Sequence, residues 1–391
     1  MSVADAVTVS DLEEDPYPIY ARLRNEDPVS WVESVGLWLV TQWDDVRTVD
    51  LNPDQFTAET DPSTLNRTFG RNMLGSEGSY HKRIRSIIEP AFRAATLRPF
   101  ADAMIRPIAD ELIDAFVAQG RVELMSDFAE PLSVRSVKQV LGFRDVPDDV
   151  LRRWFVELAT GAANFEGDPA KQEIADRASA EVNDTVQPLL DQLEAQPDDS
   201  ILSRMLHTEI GGERLTREEV QANVKVMIVG GMQEPADFIG LAAHALLAHP
   251  EQLAEVVADR TLLHPALEEA ARWHSPVGTS TRQTTQPVEL HGVKLDTGSL
   301  VAAVLASANR DERHWVEPDT FNIHRQERTH LAFAAGGHHC IGAHLARYIA
   351  RTAFEQLLER LPGLQLDQEM PAKFSGWEFR RPLHLDLRWA T

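Results

Sequence analysis

The stretch between Thr216 and Pro250 constrains this chain more than any other part of it. Thr216 followed three residues later by Glu219 fits a capping box, and the helical pattern runs on to a stop at His249-Pro250. In between, VKVMIVGGMQEPADFIGLAAHALLAH carries apolar residues on every side, as a helix does when it is buried all round. The pattern predicts a single helix of roughly 30 residues, far beyond ordinary globular length. Such a helix must run through the core of whatever fold encloses it.

The other segments are arranged around it. Residues 17–51 read as a short helix, two strands (PVSWVES and GLWLVTQ) and another helix starting at Trp43. Residues 52–77 read as irregular, and 78–205 as several amphipathic helices broken near Gly120, Gly142, Gly167 and Pro197. Residues 277–303 read as β-structure, with VELHGVKL a hairpin around His291-Gly292. Residues 306–340 read mostly as loop, 341–361 as a helix, and the C-terminal segment as a final hairpin. β-rich pieces near both chain ends are expected to share a sheet. The prediction is one α+β domain over residues 1–391, mainly helical with a smaller β region.

Composition excludes several functions. With 38 basic against 61 acidic residues the net charge is −23, which repels nucleic acid and anionic membranes. No apolar run approaches the ~18 residues of a membrane span. The N-terminus lacks the basic and apolar regions of a signal peptide. The expectation is a cytoplasmic protein with no nucleic-acid or membrane partner. A single cysteine, Cys340, excludes internal disulfides, redox pairs and built-in iron–sulfur clusters.

That cysteine lies in LAFAAGGHHCIGAHLAR, residues 331–347. The Gly-rich loop is expected to lead Cys340 into the first turn of a helix, where backbone N–H groups and the helix dipole lower a thiol's pKa. The residues alone allow a structural buried cysteine, a crowded zinc site from His338, His339, Cys340 and His344, or an axial thiolate to haem iron.

The ten residues FAAGGHHCIG fit F-x-x-G-x-x-x-C-x-G, and the chain thereby resembles the cytochrome P-450 monooxygenases, with Ala334 where that family usually has Gly. The resemblance implies the cytochrome P-450 fold, with the long central helix over haem b (iron protoporphyrin IX). It also implies Cys340 as iron ligand, Phe333 shielding the sulfur, Gly342 in the loop and His338 at a haem propionate. His81 and Arg85 match the family's H-x-x-x-R and share a helix face, which suits a haem carboxylate. Arg282 stands where a further propionate arginine is expected. Glu269-Ala-Ala-Arg272 matches E-x-x-R, and Arg325 would complete a structural triad with Glu269 and Arg272.

The central helix departs from the family's A-G-x-[D/E]-T-[T/S]. Gln233 stands at the acid position and Glu234 at the alcohol position, followed by Pro235. Glutamine cannot deliver a proton, whereas a desolvated glutamate can act as acid or base. Pro235 frees the carbonyl of Gly231 and is expected to widen the helix beside the oxygen site. The pattern suits hydrogen peroxide, with Glu234 taking a proton from one oxygen and returning it to the other. An ordinary dioxygen cycle driven by a reductase is equally open. The Gln–Glu–Pro variant resembles the bacterial subgroup that O-demethylates methoxyphenols such as guaiacol and syringol.

By the same resemblance Phe69, Phe165 and Phe379 fall in regions lining the distal pocket, where three aromatic edges can hold a small aromatic ring. Val229, Gly230, Val277 and Thr279 are expected nearby. The expected activity is O-demethylation of a methoxyphenol with release of formaldehyde. Its alternatives are a reductase-dependent hydroxylase of a larger natural product and a non-catalytic haem sensor or carrier. Electrons, if used, come from a separate ferredoxin or reductase, for which Lys82, Arg83 and Arg347 offer a basic docking patch.

Overall fold

The computed structural model describes residues 2–164, 167–326 and 329–390. From the N-terminus, α1 (Val9–Glu14) and α2 (Pro16–Glu26) precede β1 (Val29–Val32) and β2 (Leu37–Val40); then come α3 (Trp43–Leu51), β3 (Phe56–Thr57) and α4 (Thr64–Phe69). A helical stretch follows: α5 (Gly78–Phe92), α6 (Ala94–Asp114), α7 (Glu130–Leu141), α8 (Asp148–Ala162), α9 (Pro169–Ala195) and α10 (Ile201–His207), interrupted by β4 (Arg121–Glu123) and a π-helical turn, Met125–Ala129. The next four helices are α11 (Arg217–Met232), α12 (Glu234–Leu247), α13 (Pro250–Ala258) and α14 (Leu263–His274). They lead to β5 (Ser280–Thr284), β6 (Val288–Leu290), β7 (Val293–Leu295) and β8 (Leu300–Ala303). After α15 (Leu305–Ala308) and the cysteine loop, α16 (Ala343–Arg360) is followed by β9 (Gln365–Leu366), β10 (Lys373–Ser375), β11 (Arg381–His384) and β12 (Asp386–Arg388).

The architecture is mainly helical, with several small sheets. The largest has the order β1-β2-β8-β5-β3, and β8 runs parallel to β2 with Trp38 opposite Val301. It joins the first 57 residues to residues 280–303, and its inner positions Val29, Val40, Val301 and Ala303 are buried. The C-terminal strands do not enter this sheet, contrary to expectation. β10 pairs with β11, and β12 pairs with β4 and β9, so a mid-chain strand unseen in the sequence captures the C-terminus. The hairpin at His291-Gly292 forms as expected, both residues having positive φ (50° and 75°), as its two-residue turn requires.

The central segment is two helices rather than one. The capping box at Thr216 forms in both directions, and α11 runs unbroken to Met232. Pro235 cannot donate to Gly231, and the ladder breaks at Gln233 before α12 resumes. Ser133 on α7 turns its hydroxyl to the freed carbonyls, at 2.7 Å from Met232 and 3.4 Å from Gly231. Past the break, α12 is gripped from two sides. A Cβ on Gly240 would lie 2.3 Å from Met125 Sδ and 2.9 Å from Pro382 Cγ, so only glycine lets the π-helical turn and β11 close on it. Among the described residues, no helix is long and apolar enough to cross a membrane.

A second buried polar feature sits where α12 meets α14. His244 Nδ1 and His274 Nε2 are 3.3 Å apart, and Phe374 stacks on His274. Burial, with a smaller push from His249, lowers the His244 pKa to about 4; burial and then His244 push that of His274 well below the usual imidazole range. Both rings are therefore neutral in the fold, while the unfolded chain binds protons near pH 6.5. Their stabilisation is complete above pH 6.5 and is lost as pH falls toward 4. Thermal unfolding followed across that window should show Tm falling with acidification, more shallowly in His244→Gln; a flat parent profile would contradict the neutral pair.

Candidate active site at the cysteine loop

The loop from Leu331 to Gly342 is tied down at both ends. Leu331 N–H donates to Asn309, and Cys340 N–H donates to the Phe333 carbonyl at 2.9 Å. Ala334 adopts φ +54°, a left-handed conformation costing a non-glycine residue about 1–2 kcal/mol; this is the position where the family has Gly. Gly336 has φ +69°, and a Cβ there would lie 2.6 Å from the carbonyl oxygen of Asp50. Asp50, at the end of α3, also accepts from Ala335 N–H, Ser280 Oγ and Arg282. It thus joins the loop to the sheet.

Cys340 stands before the helix, not in its first turn: α16 begins at Ala343, with Gly342 as its N-cap. The expected lowering of the thiol pKa is also reversed. Burial pushes the thiol up, and the single N–H of Gly342 bonded to sulfur offsets this only in part. Cys340 nevertheless keeps accessible area. Phe333 packs edge-on against Phe238 of α12 at 6.5 Å, with the Arg347 guanidinium 4.2 Å from its ring centre.

Beneath the loop Glu269, Arg272 and Arg325 come together. Arg272 makes a bidentate pair with Glu269 at 2.8 Å on both arms, and Arg325 Nε reaches both carboxylate oxygens at 3.1 Å. The remaining guanidinium donors go to the carbonyls of Asn309, Pro318, Val316 and Thr320. All three side chains are buried. Removing the acid strands two desolvated cations, at a cost of about 3–5 kcal/mol. Glu269→Ala should therefore give little folded, haem-loaded protein, read as carbonyl-binding pigment per unit of protein; normal yield and Tm would refute the structural assignment.

The expected propionate contacts form one cluster. His81 stacks on His338 with ring centres 4.2 Å apart, and His338 Nε2 is 2.9 Å from Glu77. One ligand atom from each of Glu77, His81 and His338 lies within 4.8 Å of the others. Arg282 is buried and bonds Asp50 at 3.2 Å, while Arg85, one turn along α5 from His81, bonds Glu89 at 3.1 Å. Of the basic patch expected for docking, Lys82 is exposed, while the two arginines are paired with acids. Arg83 is held by Glu219 and Glu213, and Arg347 by Glu268 at 2.7 and 2.8 Å. Burial alone would raise Glu268; hydrogen bonds from His330 and Arg347 hold it far below the usual carboxylate range.

On the opposite side of the cysteine lies the break in the central helix. Burial pushes Glu234 up to about 7, its own backbone N–H pulling the other way, and its Oε2 finds no hydrogen-bond partner among the described residues. Glu234 is close enough to Cys340 for its charge to raise the thiol pKa. The Gln233 carbonyl accepts from Asp237 N–H at 2.9 Å, farther along the helix. Gly230 is exposed in the middle of an otherwise buried helix, and a methyl group added there would meet nothing within 4 Å.

The other pocket residues are placed unevenly. Val229 and Val277 are half-buried and Thr279 is 9% exposed. Phe379 is 52% exposed and pairs with Val277 through an isolated bridge. Phe69 is 1% exposed within the large core. Phe165 lies outside the described residues.

The site thus holds an accessible thiol on a loop shaped by glycine, an open strip of helix backbone at Gly230, an unpartnered buried carboxyl, and two histidines with two arginines at one edge. That donor set fits a flat metallated macrocycle bearing carboxylates, and it defines a haem-thiolate protein. The family model for cytochrome P450 matches residues 168–380. The cytochrome P450 monooxygenase PikC of Streptomyces venezuelae is 37% identical over 91% of this chain and 86% of its own length. The 6-deoxyerythronolide B hydroxylase of Saccharopolyspora erythraea is 30% identical over 92% and 93%. The crystal structure of CalO2 superposes with a TM-score of 0.88 at 29% identity, covering 100% of this chain and 98% of that one. The chain belongs to the cytochrome P450 family. It is accordingly a monooxygenase, an oxidoreductase whose cofactor is haem b held by a cysteine thiolate, and Cys340 is its single cysteine.

Sequence reasoning missed Glu77, Asp50, Ser133 and Glu268. Their partners lie 261, 230, 98 or 99, and 79 residues away, and no local pattern marks such pairs.

Proposed function

We propose that Glu234 manages the protons in this oxygenase and that the substrate is an apolar natural product larger than one ring. The observation that carries the first part is the buried, unpartnered Oε2 of Glu234 close to Cys340. Haem, when bound, supplies the activation of oxygen. Cys340 anchors its iron, while Phe333 and Gly342 steady the sulfur. His81, Arg85, Arg282 and His338 hold the propionates once these replace their present acidic partners. Glu234, whose carboxyl burial raises to about 7, would hold a proton at its Oε2 and could both give and accept one in the pocket beside Cys340. Residues 1–391 act as one catalytic unit, and placement in the cytoplasm stays part of this proposal.

The larger substrate is supported by the relative named for 6-deoxyerythronolide B, by the open space over Gly230, and by the withdrawal of Phe69 into the core. A second reading, O-demethylation of a small methoxylated aromatic such as syringol or guaiacol, is favoured by Gln233-Glu234-Pro235 and by the exposed ring of Phe379 beside Val277. Oxygen comes from dioxygen with a separate ferredoxin and reductase, or from hydrogen peroxide. Pairing of Arg83 and Arg347 with acids weakens the proximal patch for an acidic donor and lends weight to peroxide.

One experiment separates these readings. The haem-loaded protein is titrated with 6-deoxyerythronolide B, syringol and guaiacol, and product is sought with peroxide and with a reductase pair. A substrate-induced Soret shift and hydroxylated macrolactone support the first. Formaldehyde from the methoxyphenols, with no response to the macrolactone, overturns it in favour of the second. No product under either supply defeats both.

A further inference from the structure

A second acid lies behind Glu234. Asp237 is three residues on along α12, so the two share a helix face, and Asp237 is 2% exposed. Its backbone N–H donates to the Gln233 carbonyl at 2.9 Å, and its carboxyl feels the cation of Arg381, a half-buried residue on β11. β11 and the π-helical turn close on α12 here, as the tight fit around Gly240 shows. From α7, Glu130 adds its charge and Ser133 bonds the break; Ser136, one turn on, has a buried Oγ with no partner among the described residues. Neither the thiolate site nor the propionate cluster uses any of these groups.

We propose that Asp237 returns a proton to Glu234 during dioxygen-driven turnover, with Gln233 holding its backbone in place and the Arg381 end of β11 as the entry from solvent. This rests on the proton-handling reading of Glu234. Burial drives the carboxyl of Asp237 well above the ordinary carboxyl range, Arg381 opposing this and the Glu234 charge adding to it, the direction that favours a bound proton.

The stoichiometry of the two oxygen supplies makes the idea testable. With dioxygen, RH + O2 + 2 e− + 2 H+ gives ROH + H2O, the electrons coming from a reductase or photochemical donor. With peroxide, RH + H2O2 gives ROH + H2O and no net proton is consumed. Glu234 serves the peroxide reaction alone, because the proton it accepts from one oxygen goes back to the other. In the dioxygen reaction each proton it gives must be replaced from outside, by the O–H of Asp237. Asp237 is then reprotonated from water near Arg381. Asp237 is a positioning and relay residue, not one that touches oxygen.

Asp237→Asn is compared with the parent under both supplies, the electrons being delivered by a photochemical donor so that no partner protein need be identified. The expected result is a loss of about tenfold in dioxygen-driven turnover, with a larger solvent deuterium isotope effect and more peroxide released per product. Peroxide-driven turnover should stay within about twofold, with an unchanged ferrous-carbonyl band, and Asp237→Glu should restore much of the loss. Equal losses under both supplies, or no loss under either, overturn the proposal. If Asp237→Asn does not take up haem, Arg381→Leu reads the same selectivity, and its equal effect on both supplies is likewise fatal. Glu234→Gln is the control: it should fail under both supplies. If it does not, the reading of Glu234 itself falls; if it does while Asp237→Asn is silent, only the relay falls.

Discussion

Cys340→Ser is expected to yield a folded protein that has lost the red-shifted ferrous-carbonyl Soret band and turns over no faster than free haem. Serine is nearly isosteric, and the bond from residue 340 N–H to the Phe333 carbonyl does not involve the side chain, so the loop should keep its shape. What changes is the ligand. A hydroxyl does not ionise at neutral pH, whereas a thiol bound to a metal gives up its proton even where burial opposes it. Electron donation from sulfur, which favours O–O cleavage in this class, disappears with it. Spectra of the reduced, carbon-monoxide-bound variant decide the point, and a retained thiolate-type band would mean that Cys340 is not the ligand.

The second large effect is expected at Glu234. Glu234→Gln preserves shape but removes the titratable group, and turnover should fall about a hundredfold, the lower end for a positioned acid–base residue. Substrate-induced spectral shifts should be unchanged, separating proton handling from binding. With peroxide the parent needs the carboxylate form first, so its rate should rise as pH passes upward through about 7, the value to which burial raises this group. That limb should be missing in the variant. Glu234→Thr, which restores the family's alcohol, should likewise lose peroxide-driven turnover. A rate or pH profile unaffected by Glu234→Gln would remove this residue from the mechanism.

Local signals were legible where chemistry and structure share one short window. FAAGGHHCIG, the capping box at Thr216, the hairpin at His291-Gly292 and the Glu269–Arg272 pair each lie within a few residues of chain. Arg325 joined them only through the family resemblance. The long central segment was read as one helix because periodicity reports burial, not hydrogen bonding, and the break at Gln233 depends on a missing N–H and on Ser133, about a hundred residues earlier. The thiol was misjudged because a helix terminus can be read from sequence while desolvation cannot. Arg83 and Arg347 looked free for want of any sign that Glu219 and Glu268 would reach them. Phe69 was assigned to the pocket by position, and its burial follows from how α4 sits against the core.

The convergence of Ser280, Arg282, Ala335 and the close pass of Gly336 on Asp50 bears on how such enzymes can be recombined. In hybrids assembled from two relatives, a crossover between residue 50 and residue 280 would split one acid from contacts supplied by two separate stretches of the chain, 280–282 and 335–336. Chimaeras that inherit this acid and its cluster from the same parent should incorporate cofactor far better than those that mix them, whatever their overall similarity.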